Sequence, residues 1–377
     1  MSATSIEWTD FSTNPLRARL AGRVGHYCEK VSAGCKNCYS SRTQCRFGMP
    51  TFSESRALAK AVEHFLDPSK LEEVLRRKKP TKWFWCDMTD MFGDWVPFEW
   101  IAACFGVMAA TPWHTHQVLT KRPERALAFF RWCEKRGEDG LSLFPDDPLD
   151  WRIRQLLNVS ARRAGADMNR DSRQNHGGAW PLPNVWLGTS VENQRTADER
   201  IPTLLRCPVA VRFVSAEPLL GPVSIMRWVE RLDHCDSCGE ESQPQTNDVC
   251  PQCGSERGLI STWGESQAND YREGRRYETS ELRDGPELHW VIVGGESGPG
   301  ARTFDIQWAR DIVGQCRNSG VAVFVKQLGA RPVAPVTEAE ATNYGERLPL
   351  RLIDRKGGDM SEWWESLRVR EFPELRP

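Results

Sequence analysis

Seven short apolar runs, most of them followed by a helical pattern, constrain this chain more than anything else in it. They are "SIEWTD" (5–10), "KWFWCDMTD" (82–90), "HTHQVLTKRPE" (114–124), "NVWLGTSVEN" (184–193), "VAVRFVSAEPLLG" (209–221), "LHWVIVGGESGPG" (288–300) and "VAVFVKQLG" (321–329). Strands alternating with helices imply βαβ units and a parallel sheet. Near-continuous apolar strands imply a sheet covered on both faces. Each of the six runs after the first closes on functional side chains: Asp87 and Asp90; Lys121, Arg122 and Glu124; Thr189, Ser190 and Glu192; Ser215 and Glu217; Glu296 and Ser297; Lys326 and Gln327. Ligands of barrels and doubly wound sheets bind at the carboxyl ends of strands. One such ending is what any wet loop provides; the whole set points to a site.

The expected fold is therefore α/β, a partial or complete parallel (β/α) barrel. It takes in residues 1–227 and 286–330, with an excursion at 134–183, an inserted cysteine-rich segment at 228–285 and a C-terminal extension at 331–377. Net charge is −1, so bulk charge attracts neither nucleic acid nor membrane. No apolar run approaches the roughly 20 residues that span a bilayer, and "MSATSIEWTD" has neither the basic nor the apolar region of a signal peptide. A cytoplasmic location, without membrane association, is expected. Thirteen cysteines in a reducing compartment read as metal ligands or packed thiols before disulfides.

Two cysteine groups stand out. Cys235, Cys238, Cys250 and Cys253 are spaced C-x2-C-x11-C-x2-C, each pair followed by glycine. Four thiolates close a tetrahedral shell, which makes this a zinc ribbon holding a structural Zn2+. The other group, in "HYCEKVSAGCKNCYS", is Cys28, Cys35 and Cys38, spaced C-x6-C-x2-C. Three thiolates on a 4Fe–4S cluster leave one iron open to a reactant. Zinc with a fourth ligand, packed thiols without metal, and Cys45 as a fourth cysteine are the alternatives.

The ordered set "IEWTD…NP…C-x6-GC-x2-CY", "MTDMFGD", "LTKRPER", "VWLGTSVENQ…ADERIP", "VRFVSAEPLLGPV", "WVIVGGESGPGAR" and "FVKQLG" resembles the phage-associated three-cysteine family. That family is named after phage gene products thirty-seven and sixty-eight and is regarded as radical-SAM-like. The resemblance covers roughly 5–60, 82–125, 184–223 and 288–329, and it implies a radical-SAM-type barrel with the cluster in the loop after the first strand. The first gap is six residues, where radical-SAM enzymes usually have three. By this resemblance Cys28, Cys35 and Cys38 ligate iron, Tyr39 packs beside the cluster, and S-adenosylmethionine docks on the open iron to yield a 5′-deoxyadenosyl radical.

The remaining roles are read from position. Gly294, Gly295 and Glu296, with Asp87, Asp90 and Lys326, are placed at the cofactor; Lys121, Arg122 and Glu217 are placed in the chemistry. The substrate is first read as a nucleic acid or nucleotide, with an external electron donor. The alternatives are a radical-SAM enzyme on a peptide or small metabolite, and a non-catalytic binding protein with zinc in both cysteine groups. Oligomeric state is left open.

Overall fold

A computed structural model describes residues 2–46, 60–139, 148–168, 180–229, 231–235, 241–242, 259–263, 288–335 and 346–374. Two compact units make up the chain, 1–192 with 207–217, and 193–206 with 218–377. The architecture is mixed α/β with parallel pairing, compatible with a partial parallel barrel. No helix among the described residues is long and apolar enough to cross a membrane.

In the first unit, β1 (Ser2–Ala3) lies antiparallel to β2 (Phe11–Thr13), and β2 opens the parallel run. A small antiparallel sheet follows, β3 (Leu16–Leu20), β4 (Arg23–Gly25) and β5 (Glu63–Leu66), with α1 (Tyr39–Arg46) between β4 and β5. After α2 (Pro68–Arg76) come β6 (Lys82–Trp85), α3 (Phe98–Ala110), β7 (Thr115–Thr120), α4 (Pro123–Glu138), α5 (Leu149–Arg163), β8 (Val185–Ser190) and β9 (Val211–Ala216). β2, β6, β7, β8 and β9 pair in that order, all parallel. Every residue of β8 is buried, as a strand covered on both faces requires. Gly188 in β8 lies against the Phe213 ring of β9, where a Cβ would collide with the ring. α3 is apolar almost all round and packs on α5; Gly106 is where an added Cβ would meet the Leu157 carbonyl.

The second unit begins with α6 (Gln194–Leu205), opened by a capping box between Asn193 and Thr196. The backbone of β10 (Arg231–Cys235) pairs antiparallel with β11 (Glu241–Ser242) and β12 (Leu259–Trp263). β13 (Trp290–Gly294) pairs parallel with β15 (Ala322–Gln327), joined through β14 (Phe304–Asp305) and α7 (Ile306–Asn318). β16 (Pro332–Pro335) lies between β14 and β17 (Arg347–Pro349).

Six of the seven expected strands stand where the apolar runs lie, and the first does not. Residues 5–10 form turns, with Thr9 N–H donating to Ile6 O at 3.3 Å, and the strand starts at Phe11. Trp8 leaves the alternation and packs into the core, 2% exposed, with its ring 4.6 Å from that of Phe84. The cysteine loop also does not follow the first strand directly, because the β3–β4 hairpin stands between them. Of the ribbon cysteines, Cys235 ends β10, while Cys238, Cys250 and Cys253 lie outside the described residues.

Candidate active site

The end of β6 shapes the site. Cys86, the residue after the strand, has φ of +62°, a left-handed backbone that costs a non-glycine residue about 1–2 kcal/mol. Its N–H donates to Thr13 O at 2.8 Å and its carbonyl accepts from Thr89 N–H at 3.1 Å. The chain therefore turns sharply, and Asp87 and Asp90 past the turn engage different partners.

Asp90 accepts from Thr120 Oγ1 (2.7 Å), Phe92 N–H (3.0 Å), Lys121 N–H (3.1 Å) and Arg122 Nη1 (3.0 Å). It staples the end of β6 to the end of β7 and holds the Arg122 guanidinium in place. Arg122 is nine-tenths buried, lies 5.0 Å over the Trp95 ring, and has its Nη2 4.0 Å from a Glu29 carboxylate oxygen. Glu29 in turn accepts from Tyr27 Oη at 2.9 Å.

Asp87 faces the cysteine loop. Its carboxylate accepts from Asn14 Nδ2 at 2.5 Å, and its carbonyl accepts from Tyr39 Oη at 2.7 Å. Burial pushes the Asp87 carboxyl above its ordinary range, opposed by hydrogen bonds from Asn14, Ser12 and Tyr39. Glu217, past the end of β9, lies within electrostatic reach of the Tyr39 hydroxyl. Two further contacts stitch the loop to this turn: Ser40 Oγ donates to Met88 O at 2.7 Å, and Thr89 Oγ1 donates to Tyr27 O. His26 is buried; its Nδ1 meets Leu16 O at 3.2 Å and its backbone N–H donates to Gln44.

Within the loop, Cys28, Cys35 and Cys38 are half-buried free thiols, whereas Cys45 is exposed on α1. Burial pushes the Cys28 thiol well above its ordinary range; Asp90, Cys35 and Cys38 push the same way, and Arg122 opposes them. Among the described residues no three cysteine, histidine or carboxylate side chains are grouped as they would be around a bound metal ion. Cys28, Cys35 and Cys38 form no disulfide, and Cys35 and Cys38 lie close enough to Cys28 to oppose its ionisation. Apposed thiols in a desolvated place ionise poorly alone, and a metal cation removes that penalty.

Sequence reasoning recorded Glu192 only as one strand ending among several. The structure makes it central, with no solvent exposure. Lys121 Nζ lies 3.1 Å from its Oε1, and Ser32 Oγ, from the cysteine loop, donates to the same oxygen at 2.6 Å. Asn14, also unmarked by the sequence reading, supports Asp87 and accepts from Met88 N–H at 3.0 Å.

Cys28, Cys35, Cys38, Tyr39, Asp87, Asp90, Lys121, Arg122 and Glu217 all belong to the first unit. Gly294, Gly295, Glu296 and Lys326 belong to the second, at the ends of β13 and β15. There Gly295 N–H donates to Gln327 O at 3.0 Å, and a Cβ on Gly295 would lie 2.5 Å from Leu328 O. Glu296 accepts from Arg302 through Nη2 at 2.8 Å, Nε at 3.1 Å and the backbone N–H at 2.9 Å. Gly295 serves close backbone packing, and the carboxylate beside it is already held by an arginine.

A family model matches residues 3–356; its description is "Protein of unknown function (DUF5131)". No curated protein and no solved structure matches the chain.

Proposed function

The chain belongs to that family of unknown function (DUF5131), whose description assigns no chemistry, and we propose from the site itself that it is a radical-SAM-type iron–sulfur enzyme. The observation that carries the proposal is the set of three free thiols on one loop, stitched to the carboxyl end of a parallel strand among buried charges. Cys28, Cys35 and Cys38 are the residues to hold a 4Fe–4S cluster, leaving one iron without a protein ligand. Such a cluster, when bound, supplies the electron that cleaves S-adenosylmethionine to a 5′-deoxyadenosyl radical, the electron coming from an external donor. Kinship with the phage-associated three-cysteine family is part of the same proposal.

The protein's own groups have distinct tasks in this reading. Arg122, fixed by Asp90, puts a cation beside Cys28 and favours its thiolate. Asp87 and Glu217 offer carboxylates near Tyr39 for the cofactor's ammonium group. Geometry favours them over Glu296, which Arg302 already engages. Lys121, which also pairs with Glu192, is the cation this reading gives to the cofactor carboxylate or to an anionic substrate. An open hollow is formed by Lys30, Val31, Ser32, Ala33 and Lys36 of the cysteine loop itself, and its two lysines support a nucleic acid or nucleotide as substrate. Cys235, Cys238, Cys250 and Cys253 hold a structural zinc ion.

Iron and zinc measured on anaerobically purified protein test this. Wild type is expected to carry both metals, to show the visible absorption of an iron–sulfur cluster, and to make 5′-deoxyadenosine from S-adenosylmethionine with dithionite. Cys35→Ala should lose the iron and keep the zinc. Zinc bound in place of iron at the N-terminal loop would leave the non-catalytic binding protein as the reading.

A further inference from the structure

The Glu192 carboxylate is shut off from solvent, and nothing in the proposed chemistry uses it. A buried carboxylate is tolerated only when it is paired and hydrogen-bonded, and here the compensation comes from two directions. Lys121, just past the end of β7, supplies the charge, and Ser32, from the cysteine loop, supplies a hydrogen bond. The loop also presses on Glu192 through Gly34. A Cβ at Gly34 would collide with the Glu192 carboxylate oxygen and lie 2.7 Å from Cγ and 2.9 Å from Cδ. Only glycine lets the main chain pass this close.

We propose that Glu192, charged and fixed by Lys121, is the positioning residue of the cysteine loop. Ser32 and Gly34 seat on it, and that seating sets where Cys35 stands relative to Cys28 and Cys38. The connection is short. Residues Ala33–Cys35 form one 3-10 turn, closed by Cys35 N–H donating to Ser32 O at 3.0 Å, so fixing Ser32 and Gly34 fixes Cys35. The Ser32 hydroxyl spends its one proton on Glu192, which turns its lone pairs toward Cys35 Sγ, 3.9 Å away. The role of these cysteines as iron ligands rests on the function proposed above; the seating of the loop does not.

The test uses the full-length protein and four variants: Gly34→Ala, Glu192→Asp, the two combined, and Glu192→Gln. Iodoacetamide labelling of Cys35 in metal-free protein is followed by mass spectrometry, with the exposed Cys45 as internal control, and bound iron is measured after reconstitution. Gly34→Ala should raise Cys35 labelling several-fold relative to Cys45 and lower iron retention. Glu192→Asp withdraws the carboxylate by one methylene, so the combined variant should return both readouts toward wild type. Glu192→Gln keeps the volume and removes the charge, and it should loosen Cys35 even if Gly34→Ala does not fold. Unchanged labelling in Gly34→Ala or Glu192→Gln, or a combined variant no better than Gly34→Ala alone, would overturn the proposal. If wild type takes up no iron while the labelling pattern holds, the iron–sulfur reading fails and the positioning role stands.

Discussion

Replacing Asp90 by alanine removes the acceptor of four hydrogen bonds at once, from Phe92, Thr120, Lys121 and Arg122. The last of these leaves the largest debt. The Arg122 side chain is 10% exposed and Asp90 is its close counter-ion at 3.0 Å. Stripping one partner from a buried ion pair costs about 3–5 kcal/mol, because the survivor stays charged and desolvated. Each buried donor left without an acceptor costs about 1–3 kcal/mol. These contributions share one network and do not add, and Glu29, 4.0 Å from Nη2, can move in to offset part of the loss. An overall loss of about 3–5 kcal/mol is therefore expected for Asp90→Ala. Asp90→Asn keeps the shape and the bonds from Thr120 and Phe92, but its amide faces two donors, so it should fall at the lower end. Chemical denaturation measures the loss as a shift in midpoint at unchanged m-value. Pairing Asp90→Ala with Arg122→Gln should recover about 1–3 kcal/mol of coupling. A loss below about 1 kcal/mol for Asp90→Ala, or additive behaviour of the pair, would refute the assignment of Asp90 as the staple between β6 and β7.

Acid stability should depend on His116. It accepts from Trp85 Nε1 at 3.0 Å and has its other nitrogen 3.0 Å from Thr111 Oγ1, and burial, followed by the nearby His114, lowers its pKa to about 3. The unfolded state then binds more protons than the folded state below pH 6.5, so stability is full above that pH and falls as pH drops toward 3, by up to about 5 kcal/mol. Denaturation against pH should show His116→Gln with a flatter decline than wild type. Gly188→Ala and Gly106→Ala should each destabilise by about 1–3 kcal/mol through collision with Phe213 and the Leu157 carbonyl, read as a lowered melting temperature. Treating the protein with a strong zinc chelator should remove one zinc per chain and leave the iron, since the two thiolate sets are separate in sequence.

The parallel strands were legible because covered strands are written as unbroken apolar runs, such as "KWFW" and "WVIVG", with polar residues at the carboxyl end. The segment "SIEW" misled because its polar–apolar alternation mimics a half-buried strand, while Trp8 gains more by burial among Phe84 and Phe213. The β3–β4 hairpin carried a signal that went unread. Leu20 pairs with Arg23 across Ala21 and Gly22, both at positive φ (48° and 76°), the two-residue turn that suits twisted strands. Alanine in the first of those places hides it. Glu192 could not be singled out from its surroundings in sequence, since Ser32 and Gly34 lie about 160 residues away and only folding brings them together. Asp90 and Arg122 were visible as residue types, but their engagement with each other depends on the left-handed turn at Cys86, which no residue there advertises.

That turn has a consequence for how the thiol loop is attached. Its fasteners on the β6 side are hydroxyl groups of Tyr39, Ser40 and Thr89, and the partners they grip at Asp87, Met88 and Tyr27 are carbonyls of the main chain. Any amino acid supplies the same carbonyl. The identity of residue 88 is accordingly cheap to change, whereas exchanging tyrosine 39 for phenylalanine or serine 40 for alanine removes one of the three hooks while leaving the scaffold beneath it intact.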